Sequence, residues 1–187
     1  ANARVYAHSG STDDYVASGT SLTAALILGD HAFVGHVGAT RAYLGRDGAL
    51  TTLTADDTVG DGPLRLLTRT LGTQPTLEPT LVHVRLMHGD ALVLSSGALH
   101  ELLDETEITD ALRASASSED VTARLLAIAG IRGDGAATVI VGRAFNEIGP
   151  DASQRRPRPR DAVVALVAMV AAVIVATFVL HAVFSTP

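Results

Sequence analysis

No cysteine and no lysine occur among the 187 residues. The first absence excludes disulfides, thiolate metal centres and a cysteine nucleophile. The second excludes a Walker-type phosphate loop, which needs its lysine, and we read it as genomic composition. Aromatics make up 4% of the chain and the formal net charge is −6. Before Arg155 the chain is acidic, with few aromatics and no basic stripe, a poor candidate for binding nucleic acid. A dinucleotide fingerprint, a G-x-S-x-G nucleophile elbow and an HExxH zinc motif are all missing. No signal peptide is visible at the start. The mean hydropathy of +0.29 is high for a wholly soluble protein, and the excess sits at the C-terminus.

What is present is organised around Gly19–Thr54. Two apolar runs, Ser21–Leu28 and His31–Gly38, flank Gly29-Asp30, a pair suited to a two-residue hairpin. Arg41–Gly45 follows, and Arg46-Asp47-Gly48 turns the chain into Ala49–Thr54. Short runs rich in branched and aromatic residues, punctuated by Gly-Asp and Asp-Gly, predict an antiparallel meander. Ala1–Ser18 has no clean period; Asp13-Asp14 there reads as solvated or capping carboxylates. Pro63–Leu71 predicts a short helix with proline at its first position. Thr80–Leu86 alternates as a half-buried strand, and Ala91–Ser95 is a continuously apolar one. Asp104 with Glu107 predicts a capping box for a helix through about Ala114. Ser118 is the predicted cap of a second helix over Glu119–Ala129, closed by Gly130. Residues 136–142 supply a last core strand.

Residues 1–145 form one domain in this reading, and 146–160 a Pro/Arg-rich linker carrying Arg155, Arg156, Arg158 and Arg160. Residues 161–184 are almost entirely apolar, long enough at about 1.5 Å per residue to cross a hydrocarbon core. They predict one C-terminal transmembrane helix with a short tail at 185–187. Arginines on its N-terminal flank alone place the domain in the cytoplasm, as a single-pass protein of the cell membrane. The same four arginines would lie at the membrane interface and meet anionic lipid headgroups.

Six ordered segments belong together: Gly19-Thr20-Ser21-Leu22, Val37-Gly38-Ala39-Thr40-Arg41-Ala42-Tyr43-Leu44, Leu53-Thr54-Ala55-Asp56-Asp57, Leu67–Gly72, Ser95-Ser96-Gly97 and Thr138-Val139-Ile140-Val141. Taken in this order they resemble the metal-dependent protein serine/threonine phosphatases of the 2C type. The family counterparts read G-T-T-L, V-G-D-S-R-A-Y-L, L-T-x-D-H, L-T-R-A-L-G, S-D-G and D-N-x-T-V-I-V-V. The resemblance implies an α+β fold, an antiparallel β-sandwich flanked by helices. It also implies phosphomonoester hydrolysis by two divalent metals held in carboxylates, with magnesium or manganese as the cofactor.

The same resemblance places the family's acidic ligands at Ala39, Ser96 and Gly135, none of which is a carboxylate. Asp134, one residue before Gly135, is the weak remaining candidate, and the family's upstream D-G-x-G-G segment has no match before Gly19. The expectation is a catalytically degenerate member, a pseudophosphatase without catalytic or metal-binding residues and without a cofactor. Its partner would be a protein: a phosphoprotein, a kinase or a larger membrane complex. Two rivals stand beside it. One is an active phosphatase with a rearranged site using Asp134, Asp13 or Asp14 with magnesium or manganese. The other is an accessory subunit held in a membrane complex by its single helix. The histidines His36, His83, His88 and His100 have no metal-ligand spacing, and Arg41 is expected to pair structurally.

Overall fold

The computed structural model describes residues 1–9, 19–60, 65–133 and 136–145. Within the unit Ala1–Phe145 the strands are β1 (Leu22–Leu28), β2 (His31–Val37), β3 (Arg41–Arg46), β4 (Ala49–Thr52), β5 (Thr58–Val59), β6 (Leu66–Leu67), β7 (Thr80–Arg85), β8 (Ala91–Ser95) and β9 (Val139–Arg143). Among the described residues four helices accompany them: α1 (Asn2–Ser9), α2 (Gly97–Leu102), α3 (Glu105–Ala114) and α4 (Ser118–Arg132). The strands form antiparallel sheets in the orders β1-β2-β7 and β4-β3-β8-β9, with a separate β5-β6 ribbon.

Two apolar layers hold these elements together. Ala32 and Val34 of β2 meet Ala42, Leu92 and Leu94 of the four-stranded sheet, with Val82 and Val84 packed alongside. The opposite face of that sheet, through Tyr43, Val93 and Val139, packs on Leu99, Ile108, Val121 and Leu125 of the helices. The layers are therefore sheet, sheet, helices. Every residue of β8 is buried because the strand has an apolar neighbour on both faces. A strand covered on both faces reads as a continuous apolar run instead of an alternating one.

The hairpins at Gly29 and at Asp47-Gly48 form as expected, with positive φ at Gly29, Asp47 and Gly48. The single meander does not. β1-β2 and β3-β4 belong to different sheets, and β2 takes β7 as its second neighbour. The corner at Gly38-Ala39-Thr40 causes the switch. Gly38 has φ +97°, and a Cβ there would collide with the Ser21 side chain. Its N–H donates to Asp57 Oδ2 (2.9 Å), and the Ala39 N–H donates to Ser21 Oγ (2.9 Å).

The helix predicted over Pro63–Leu71 is also corrected. Residues 61–64 lie outside the described residues, while Leu66–Leu67 is extended and pairs with Thr58–Val59. Leu66 and Leu67 are 67% and 46% exposed, so a helix here would have had no core to cover. The extended chain instead lets Arg65 and Arg69 reach two aspartates. The capping box of α3 forms, with the Glu107 N–H donating to Asp104 Oδ1 (2.9 Å) and the Asp104 N–H to Glu107 Oε2 (3.1 Å). α4 is capped by Ser117, one residue before the predicted cap, and continues past Gly130. Its last turn is tied down by Arg132, which donates to Glu107 Oε1 (2.6 Å) and to the Leu102 carbonyl (2.9 Å). Helix α1 had no periodic signal; Asn2 anchors it by donating to the Gln74 carbonyl and accepting from the Gly72 N–H. Among the described residues no helix is long and apolar enough to cross a membrane. The predicted span 161–184 and the arginines of 155–160 lie outside the described residues.

Candidate functional site

Two of the three positions where the family's acidic ligands were expected meet at one end of the four-stranded sheet. Ala39 sits on the corner between β2 and β3. Ser96 ends β8 and is the N-cap residue of α2. The corner and the cap are in contact, since a Cβ on Gly97 would lie 3.5 Å from the Ala39 carbonyl oxygen. Gly135 and its neighbour Asp134 lie outside the described residues, as do Asp13 and Asp14.

Ser96 has a structural occupation. Its N–H donates to the Thr138 carbonyl (2.9 Å), and its Oγ accepts from the Thr138 N–H (3.0 Å). The hydroxyl thus joins the end of β8 to the segment entering β9. It makes no cap bond of its own to α2.

Among the described residues, two carboxylates beside the corner are engaged too. Asp56, with a side chain 6% exposed, takes a bidentate pair from Arg41 (2.8 Å to each oxygen) and a further bond from Arg65. Asp57 accepts from Arg69 (2.6 Å) as well as from the Gly38 N–H. Burial pushes both carboxyls up, but these guanidinium and amide donors outweigh it and hold both below the usual range. Arg41 therefore has the structural role expected of it. The Asp56–Arg41–Arg65 and Asp57–Arg69 pairings were missed. The legible signal was two adjacent acids and two arginines on either side of a Gly-rich turn.

The four histidines singled out in the sequence, His36, His83, His88 and His100, do not converge on one another. His36 is buried, with Nδ1 on Thr23 Oγ1 (2.9 Å) and Nε2 on the Ala55 carbonyl (3.0 Å). His83 is exposed on β7, and His88 is exposed in the turn before β8. His100, on α2, has a side chain only 4% exposed and lies 3.6 Å from Asp56 Oδ2. Burial first, then the nearby Arg41 charge, pulls its pKa down to about 4, so the ring is neutral at pH 7.

Magnesium and manganese require several negatively charged oxygen ligands. Among the described residues, the groups available at the corner are a methyl, a neutral hydroxyl already bonded to backbone, and carboxylates neutralised by arginine. Among the described residues no group of three or more His, Asp or Glu is placed to hold a metal ion. The described residues do not fit the family's metals.

No protein-family profile matches the chain. It is 34% identical over 143 residues to the serine/threonine protein phosphatase PstP of Mycobacterium tuberculosis, matching 68% of this chain and 27% of that protein. The chain thus spans about a quarter of that relative's length. The crystal structure of the Mycobacterium tuberculosis PstP phosphatase superposes with a TM-score of 0.70 at 30% identity, covering 78% of this chain and 68% of that one. The PstP catalytic domain in complex with two manganese ions gives 0.69 at 29% identity, over 78% and 67% of the two chains. The sandwich, the ordered segments and these likenesses agree. The chain belongs to the family of serine/threonine phosphatases of the protein phosphatase 2C type.

Proposed function

We propose that this chain is a non-catalytic member of its family, a pseudophosphatase that acts by binding another protein. The observation that carries this reading is the pair Ala39 and Ser96. A methyl and a hydroxyl bonded to Thr138 stand where carboxylates are expected. Loss of negative oxygen ligands removes the counter-charge without which a divalent cation is not retained. The scaffold around them is intact, including the Arg41–Asp56 pair and the glycine corner, which supports a retained fold with a different use.

The partner would be a phosphoprotein, a kinase or a larger membrane complex. Residues 161–184 would anchor the chain in the cell membrane with the domain on the cytoplasmic side, and Arg155, Arg156, Arg158 and Arg160 would meet lipid headgroups. Copurification from mild detergent, with and without the residues after Arg160, separates docking by the domain from assembly through the helix. Association that survives the truncation supports the docking role.

The enzyme reading keeps one favourable observation, that a relative of similar fold is known with two manganese ions. It would need Asp134, Asp13 or Asp14. The deciding experiment is hydrolysis of an aryl phosphate by the full chain with Mn²⁺. The pseudophosphatase reading expects a rate equal to buffer alone. Hydrolysis that disappears in Asp134→Ala would establish the enzyme instead.

A further inference from the structure

The outer face of the three-stranded sheet carries two imidazoles that point at one another. In register, Phe33 of β2 lies opposite His83 of β7, and His31 lies opposite Arg85. His31 and His83 are thus diagonal neighbours on one face, within reach across adjacent strands. His31 Nδ1 is 2.8 Å from His83 Nε2. The rings are 5.0 Å apart at 20°, and Phe33 stacks on His83 at 4.6 Å and 18°, which limits ring rotation.

The other side of His31 is also specified. Its Nε2 lies 3.5 Å from Asp30 Oδ1, while Asp30 Oδ2 accepts from Arg85 Nε at 2.7 Å. A carboxylate beside Nε2 favours the tautomer with its proton there and leaves the Nδ1 lone pair directed at His83. That arrangement, in which a carboxylate orients one nitrogen and frees the other, is the usual outer support of a metal-bound imidazole. The Arg85 charge, which would otherwise repel a cation, is offset by the same carboxylate.

We propose that His31 Nδ1 and His83 Nε2 form a two-imidazole site for a borderline divalent ion such as Zn²⁺, Ni²⁺ or Cu²⁺, with water completing the coordination. Metal–nitrogen bonds of about 2.0–2.1 Å in tetrahedral geometry require the two nitrogens to separate to roughly 3.3 Å. Two half-exposed side chains reach that with a small torsional change. Binding through Nε2 requires the His83 tautomer that carries its proton on Nδ1, which exchange through solvent supplies. The ion would clip β2 to β7. Hard oxygen-seeking Mg²⁺ and Mn²⁺ are poor matches for two imidazoles, so this site is independent of the family's metals and of the proposed function.

The test is calorimetric titration of Zn²⁺ into the untagged full chain in mild detergent, alongside His31→Ala, His83→Ala, Asp30→Asn and the control His88→Ala. One ion per chain is expected for the parent and for the control, none for either alanine variant at the site, and affinity about tenfold weaker for Asp30→Asn. Both side chains are exposed, so the variants should fold; ¹⁵N shifts of the His31 and His83 rings on zinc addition give a readout without substitution. Unchanged affinity in both alanine variants, or the absence of ring shifts at those two residues, overturns the proposal.

Discussion

At the scale of the residue, the charges around Asp56 and His100 govern how the fold responds to substitution and pH. Arg41 holds Asp56 through two bonds while almost no solvent reaches the carboxylate. Removing this guanidinium leaves the nearly buried carboxylate with Arg65 as its remaining ion-pair partner, so Arg41→Ala should lower unfolding free energy by about 2–3 kcal/mol, below the limit for a wholly unpaired buried charge. Urea titration of the two proteins measures it. His100 has a folded-state pKa of about 4 against 6.5 for the unconstrained ring. Between those values the unfolded chain binds a proton that the folded chain does not, so stability falls as pH drops through this window. Thermal midpoints taken from pH 7 down to 4.5 should decline, and His100→Gln should flatten that part of the curve. The carboxyls of Asp56 and Asp57, whose folded-state pKa values are depressed, add a further loss only at more acid pH.

At the scale of the element, two features that decide the topology differ in how visible they are in the amino acids. The capping box of α3 was legible from Asp104 and Glu107, because capping depends on residues three apart. Asp104→Ala should cost about 1 kcal/mol, read by chemical denaturation. The corner at Gly38 was visible as a small-residue break but not as a change of sheet. Which sheet a strand joins depends on long-range partners: β2 on β7, and β3 on β8. Gly38→Ala introduces a Cβ at positive φ against Ser21. It should destabilise the domain by more than the usual glycine-to-alanine scale of about 1 kcal/mol, and by more than Gly29→Ala, which carries the strain of its positive φ but meets open space. The segment after Thr58 was misread because leucine spacing and an initial proline suit a helix. Ion pairs from Arg65 and Arg69, invisible to local propensity, hold it extended.

At the scale of the whole molecule, most strands were legible in the amino acids, since apolar runs and glycine turns are local signals, while the layered α+β architecture was what the family resemblance implied. The expected ligand positions Ala39 and Ser96 were brought together at one end of the sheet. What could not be read was their present use: Ser96 as a tie to Thr138, and Asp56 and Asp57 as partners of arginine. Those roles depend on residues between 9 and 42 positions away. They also give the account its physical basis, because oxygens bonded to backbone or neutralised by guanidinium are not available to a divalent cation. The most direct test is the electron paramagnetic resonance signal of free Mn²⁺ titrated with the full chain. Undiminished signal at a molar excess of protein is predicted, while uptake of two ions per chain, lost in Asp134→Ala, would contradict it.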